Sequence, residues 1–286
     1  MGGRVMNTRT RKLLLNILKW AVLIVVMLFL LFPIYWVVLT SFKTNMESYL
    51  YPPTFLPQAP TLDGFINLFT NYPEFFVYYK NNIIVSAAAT VLVCFIAIFS
   101  GYALSRIKIN WSKYAIAFLL FSQMFPVVSR LISLYGLLRG VGLLNTMTGL
   151  VLAITAGQLP FSITLMASFF DAVPMDLEEA AYIDGSSRVS TMFKVVIPLV
   201  VPGLLAVGIY SFLQTWDDYL YASTLIQNDA LRTLSTGVTL RYLGELSYDW
   251  SLVNSISVVG TLPMVFVFFF FQKYMIKGLT AGAVKG

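Results

Sequence analysis

The sequence predicts an all-α membrane protein, a bundle of six transmembrane helices with one helical loop standing in the cytoplasm. Three observations predict it. Hydrophobic residues make up 58% of the chain and charged residues only 11%, with a mean hydropathy of +0.78, far from the balance of a soluble domain. Apolar runs of about 20 residues, enough to cross a bilayer at about 1.5 Å per residue, recur between polar stretches. Carboxylates crowd into one stretch, at Asp171, Asp176, Glu178, Glu179 and Asp184. Each would cost roughly 2.5–3.5 kcal/mol at a bilayer centre, so this stretch must stand in water between spans.

The first span follows a basic start (Arg4, Arg9, Arg11, Lys12, Lys19) and runs from about Trp20 to Leu39. It is too long for a signal-peptide core and is read as an uncleaved anchor. Residues 42–80 hold Pro52, Pro53, Pro57, Pro60 and Pro73, which predicts an extended outer loop. The second span is expected from Asn82 to Leu104, closed by Arg106, Lys108 and Lys113. The third runs from Tyr114 to Leu134 through Pro126. The fourth runs from Leu143 to Phe170, interrupted at Gly157-Gln158-Leu159-Pro160. The fifth covers Leu199 to Tyr221 and the sixth Leu252 to Phe271, and a basic tail, 272–286, ends the chain. Of the 19 lysines and arginines, only Lys43, Lys80, Arg130, Arg139, Arg232 and Arg241 fall on the proposed outer side. The positive-inside rule therefore puts both termini and the acidic loop in the cytoplasm. No linker suggests a second folded part, so residues 1–286 are expected to form one membrane domain.

The loop, about 171–198, has local order of its own. Asp176 is a candidate N-cap with Glu179 three residues on, as in a capping box. Leu177, Ala180 and Ala181 share a face at helical spacing. Gly185 suits a left-handed cap, and Ser187 suits the start of a second helix ending at Pro198. A short helix with a small alanine face suits docking in a groove of another protein.

Several chemistries are excluded. The chain has no histidine, which removes His-based catalysis. Its single Cys94 cannot form an internal disulfide or a zinc knuckle. No G-x-x-x-x-G-K-[ST] loop is present, so a driving nucleotide must bind another subunit. The net charge of +6 follows from basic residues flanking apolar runs, which explains it without nucleic acid.

The run Glu179-Ala180-Ala181, three residues, Gly185, nine residues, Val195-Val196-Ile197-Pro198 resembles the EAA signature of permease subunits of ABC importers. That family prefers Ile-x-Leu-Pro at the end, and this chain carries conservative swaps there. The tail Gly278 to Gly286 and the segment Trp216-Asp217-Asp218-Tyr219-Leu220 resemble the carbohydrate, maltose-type branch, although Asp217 stands where that branch usually has asparagine. The resemblance implies a six-helix permease that catalyses nothing covalent. Its implied partners are a second homologous permease, two ABC ATPase subunits, an extracytoplasmic solute-binding protein, a carbohydrate cargo and the lipid bilayer of a bacterial or archaeal inner membrane. ATP and Mg would bind the ATPases, leaving no cofactor in this chain. It implies ATPase coupling through Glu178, Glu179, Ala180, Ala181, Asp184 and Gly185, and a tail contact through Gly278, Thr280, Gly282 and Lys285.

Polar side chains within spans are expected to face the bundle interior or a pathway. Asn82, Gln123, Gln158, Asn254 and Ser255 are the candidates for the translocation path, with Tyr102 and Tyr210 as candidate sugar-stacking rings. Two alternatives stay open at this point. One is an ABC importer for another polar solute, such as a glycerophosphodiester or polyamine. The other is an ATP-independent secondary transporter or channel.

Overall fold

The computed structural model describes residues 8–107, 112–242 and 249–283, with the side chains of 8, 10, 11, 112, 113, 242 and 273–283 excepted. All regular elements in that range are helical. In order they are α1 (Thr8–Thr40), α2 (Asn45–Ser48), α3 (Asp63–Asn71), α4 (Glu74–Arg106), α5 (Ser112–Ser122), α6 (Val127–Gly140) and α7 (Met147–Asp171), followed by α8 (Asp176–Ile183), α9 (Arg188–Thr191), α10 (Ile197–Trp216), α11 (Leu220–Leu225), α12 (Leu234–Tyr242) and α13 (Trp250–Ala283). Among the described residues, five helical stretches are long and apolar enough to cross a bilayer, and six if the bent pair α5–α6 counts as one span. The expected all-α membrane bundle is therefore what the chain forms.

The chain divides into two compact units. One comprises α1 to α3 with α13 as far as Val259. Here the proline-rich segment is not an extended connector. Glu47 organises it, its Oε1 accepting from Thr54 Oγ1 (2.7 Å) and from Gln58 N–H (2.9 Å). Lys43 donates to Thr54 O (2.5 Å) and lies 4.8 Å over the Trp36 ring. Two buried charges thus gather about a dozen loop residues, an arrangement that no hydropathy pattern announces. Burial pushes the Glu47 carboxyl up, but its hydrogen bonds and Lys43 outweigh that and hold it below the usual range.

The other unit takes in α4 to α12 and α13 from Gly260. Its axis is the pair α4 and α7. On α4, Val85, Ala89, Val93, Ala97 and Gly101 recur every fourth residue and are all buried. This spacing lays one narrow ridge of small and β-branched residues along the helix, and small residues let membrane helices approach closely. Ile163, Met166 and Phe170 of α7 meet its lower half, and Val196, Val200 and Val207 on and just before α10 close the cluster.

Three expected boundaries are corrected. The third span is not a continuous kinked helix: α5 and α6 meet at 96°. Pro126 adopts an extended conformation (φ −53°, ψ 138°) and carries no N–H, so α5 cannot run on through it. The fourth span is not interrupted, since α7 passes through Gly157 to Pro160 unbroken. The second loop helix does not end at Pro198. A π-helical turn, Met192–Val196, joins α9 to α10, with Ile197 N–H bonding Met192 O five residues back. Pro198 sits in the first turn of α10, directly after that five-residue bond, and cannot donate to the turn before it. The loop thus feeds the next span as one rigid stretch, Arg188–Trp216.

Candidate functional site

The acidic loop is built around α8. The capping box does not form. The chain already has helical geometry at Met175 (φ −64°, ψ −29°), which leaves no extended cap residue at Asp176 from which a side chain reaches back. The helix ends as expected. Gly185 takes φ +82°, its N–H bonds Tyr182 O (3.0 Å) and Ser186 N–H bonds Ala181 O (2.9 Å), the paired bonds of a Schellman motif. Ser187 then caps α9 by accepting from Ser190 N–H.

Glu178 does not lie on the exposed face of α8. It is 1% exposed and pairs with Arg106 at the end of α4, Nε to Oε1 at 2.5 Å. Tyr102 donates to its other oxygen (3.0 Å), and Tyr182 does so at 3.4 Å. Arg106 also donates to Val173 O (2.9 Å), and Ser105 donates to Asp171 at the end of α7 (2.5 Å). One buried carboxylate therefore fastens α8 to the end of α4, and Arg106 and Ser105 of α4 in turn hold Val173 and the end of α7. Tyr102, read from the sequence as a sugar-stacking ring, belongs to this clamp. Its ring also meets Phe170 edge-on at 5.5 Å.

The opposite side of the loop is bare. Glu179, Ala180, Asp184 and Gly185 are exposed, Ala181 is half-buried, and Leu177, Ile183 and Val189 add an apolar rim, with Ile183 86% exposed. Of the tail candidates, Gly278, Thr280 and Gly282 lie on α13 without described side chains, and Lys285 lies outside the described residues.

A second feature lies about halfway along α7. A cavity of about 370 Å³ is lined by Gln123, Arg130, Gln158, Tyr210, Gln214 and Tyr221, among others. It unites two of the five path candidates. Gln158 is held by Ser211 (2.5 Å) and Thr215 (3.0 Å) on α10, and Gln123 donates to Gly157 O (3.2 Å). Asn82 is elsewhere, buried and bonded to Trp216 O (3.2 Å). Asn254 and Ser255 bond back to their own helix, to Trp250 O and Ser251 O, within the other compact unit. Sequence reasoning missed Arg106 and Arg130. Both read only as topological charges, and nothing local to either announces a partner.

Asp218 also borders the cavity, but its oxygens cap α11, accepting from Tyr221 N–H (3.4 Å) and Ala222 N–H (3.0 Å). Burial pushes its carboxyl up to about 6 and neighbouring Asp217 adds to the rise, against the pull of the two amides. An acid raised in the folded state holds its proton more tightly than in the unfolded chain, so stability falls as pH rises from 3.8 to about 6. Asp218→Asn is expected to flatten that slope. Melting temperatures of the detergent-solubilised protein at pH 4.5 and 7 check it: the drop from 4.5 to 7 expected for the wild type should shrink in the variant.

Comparison with known proteins agrees with this architecture. The profile of the family described as "Binding-protein-dependent transport system inner membrane component" matches residues 12–280. The chain is 37% identical over 256 residues to the sulfoquinovosyl glycerol transport system permease protein SmoH of Agrobacterium fabrum, covering 90% of this chain and 89% of that one. It is 32% identical over 262 residues to the trehalose/maltose transport system permease protein MalG of Thermococcus litoralis, covering 90% and 92%. It is 30% identical over 269 residues to the diacetylchitobiose uptake system permease protein DasC of Streptomyces coelicolor, covering 93% and 97%. A chain from the crystal structure of a bacterial ABC transporter involved in import of the acidic polysaccharide alginate superposes with a TM-score of 0.82 at 21% identity, covering 95% of this chain and 99% of that one. The chain belongs to the family of binding-protein-dependent transport system inner membrane components.

Proposed function

We propose that this chain is the membrane-spanning permease subunit of an ATP-driven importer whose cargo is a carbohydrate. An extracytoplasmic binding protein delivers the cargo, and a second homologous permease completes the pathway. Two separate ATPase subunits, which carry ATP and Mg, drive it. Both termini and the α8 loop face the cytoplasm. The observation that carries the reading is the two-sidedness of α8. Glu178 ties it to α4, while Glu179 and Ala180 are exposed and the Glu179 carboxylate has no side-chain partner among the described residues. A helix that is rigid on one side and bare on the other transmits movement. Inverting a 1:99 ratio of states takes about 5.5 kcal/mol of differential binding, which a floppy loop does not deliver. The tail from Gly278 to Gly286 is assigned a contact with the ATPase pair. The carbohydrate cargo is supported by the three relatives, whose names all concern glycosides.

The test uses the exposed face. Glu179→Lys leaves the buried clamp intact and reverses the outward charge. The wild-type protein is expected to co-purify with an ATPase from its native membranes, and Glu179→Lys to lose that ATPase and at least tenfold of ATP-driven sugar uptake. A variant that still holds the ATPase and still transports would remove α8 from the coupling site.

A further inference from the structure

We infer that the cargo passing this subunit carries an acidic group and that Arg130 receives it. The inference rests on the carbohydrate-import reading and names the class of sugar. Arg130 stands on α6 just past the sharp break from α5, and it lines two cavities, of about 370 and 540 Å³. Both fall in the size range of small-molecule sites. Its Nε is shut off from solvent and has no acceptor, and it makes no ion pair within 4 Å among the described residues. A half-buried guanidinium without a counter-charge is costly in an apolar bundle, and such groups mark ligand or ion pathways.

The two carboxylates bordering the same cavity do not supply the missing anion. Asp218 is turned to the amides of α11, and Asp217 is exposed at the rim. Gln123, Gln158, Tyr210, Gln214 and Tyr221 line the same cavity. Gln158 is spent on Ser211 and Thr215 and Gln123 donates to Gly157 O, so it is the Gln214 amide, the Gln123 carbonyl and the two tyrosine hydroxyls that suit a polyhydroxylated solute. The planar fork of arginine matches a carboxylate or sulfonate with two parallel N–H···O bonds. A neutral sugar uses the amides and leaves the fork unpaired; an acidic sugar uses both.

The experiment measures ATP-driven uptake by proteoliposomes holding the complete importer with its binding protein. Three labelled glycosides of one ring size are compared: methyl glucuronide for the carboxylate, methyl sulfoquinovoside for the sulfonate and methyl glucoside as the neutral form. Wild type is expected to take up at least one anionic glycoside tenfold or more faster than the neutral one, and the preferred anion identifies carboxylate or sulfonate. Arg130→Gln is expected to cut that preference at least tenfold, chiefly through KM. Arg130→Lys, which keeps the charge and the bulk, should restore part of it, as a merely structural residue would not. Preference for methyl glucoside, or anionic uptake that Arg130→Gln leaves unchanged, overturns the inference while the carbohydrate reading stands. Uptake of none of the three by a wild-type complex that hydrolyses ATP overturns both.

Discussion

Arg106→Ala is expected to release α8 from the spans and to abolish coupled transport while leaving the protein in the membrane. The Arg106 and Glu178 side chains are 7% and 2% exposed, and theirs is the only ion pair between α8 and α4 among the described residues. Removing one partner of a buried pair strands the other without water or counter-charge, which typically costs about 3–5 kcal/mol. Among the described residues Glu178 pairs with no other cation, and its two tyrosine hydroxyls do not neutralise it. Hydrogen exchange of the α8 amides should quicken by a hundredfold or more, and ATP-driven uptake should fall to background. Glu178→Ala should do the same. The double change Arg106→Met with Glu178→Leu separates charge from packing. Replacing a buried pair by apolar residues of similar volume is often neutral or stabilising, so α8 protection should return. If Arg106→Ala exchanges at the wild-type rate, the clamp is not what holds the loop.

The spans and the acidic loop were legible because hydropathy and charge report directly on the solvent each residue must meet. The π turn before α10 was not legible, although Pro198 was. A proline states that a donor is missing, and whether the ladder breaks, kinks or slips by one residue depends on what packs beside it. Pro126 and Pro160 show the same ambiguity, the first breaking a span at 96° and the second passing through an unbroken helix. The loop's exposed face was legible at Glu179, Ala180 and Gly185 because helical spacing is local. Glu178 was misplaced for a matching reason. Its partner Arg106 stands 72 residues away on another helix, and a single sequence carries no sign of that pairing. Arg130 was hidden in the same way, since a cationic residue flanking an apolar run is ordinarily topological.

Gly101→Leu is the second change expected to have a large effect, and it joins packing to function. A Cβ at Gly101 would stand 3.0 Å from Ala167 N and 3.0 Å from Met166 Cβ. One of these is main chain of α7 and cannot step aside as a flexible side chain would. A leucine must therefore push α4 from α7 along the ridge that runs from Val85 to Gly101. Overpacking of this kind costs roughly 1–3 kcal/mol, and the upper end applies where backbone is the obstacle. Gly136→Leu is the control, because nothing lies within 4 Å of a Cβ there. The control should melt at or above the wild-type temperature, since leucine favours helix over glycine, whereas Gly101→Leu should melt several degrees lower. Gly101 lies one residue from Tyr102 and little more than one turn from Arg106, so displacing α4 at this point also shifts the clamp against Asp171 and Val173. Uptake should consequently fall further than the loss of folded protein accounts for. Uptake that falls only in proportion to folded protein would mean that the α4–α7 seam supports the bundle without setting the position of α8.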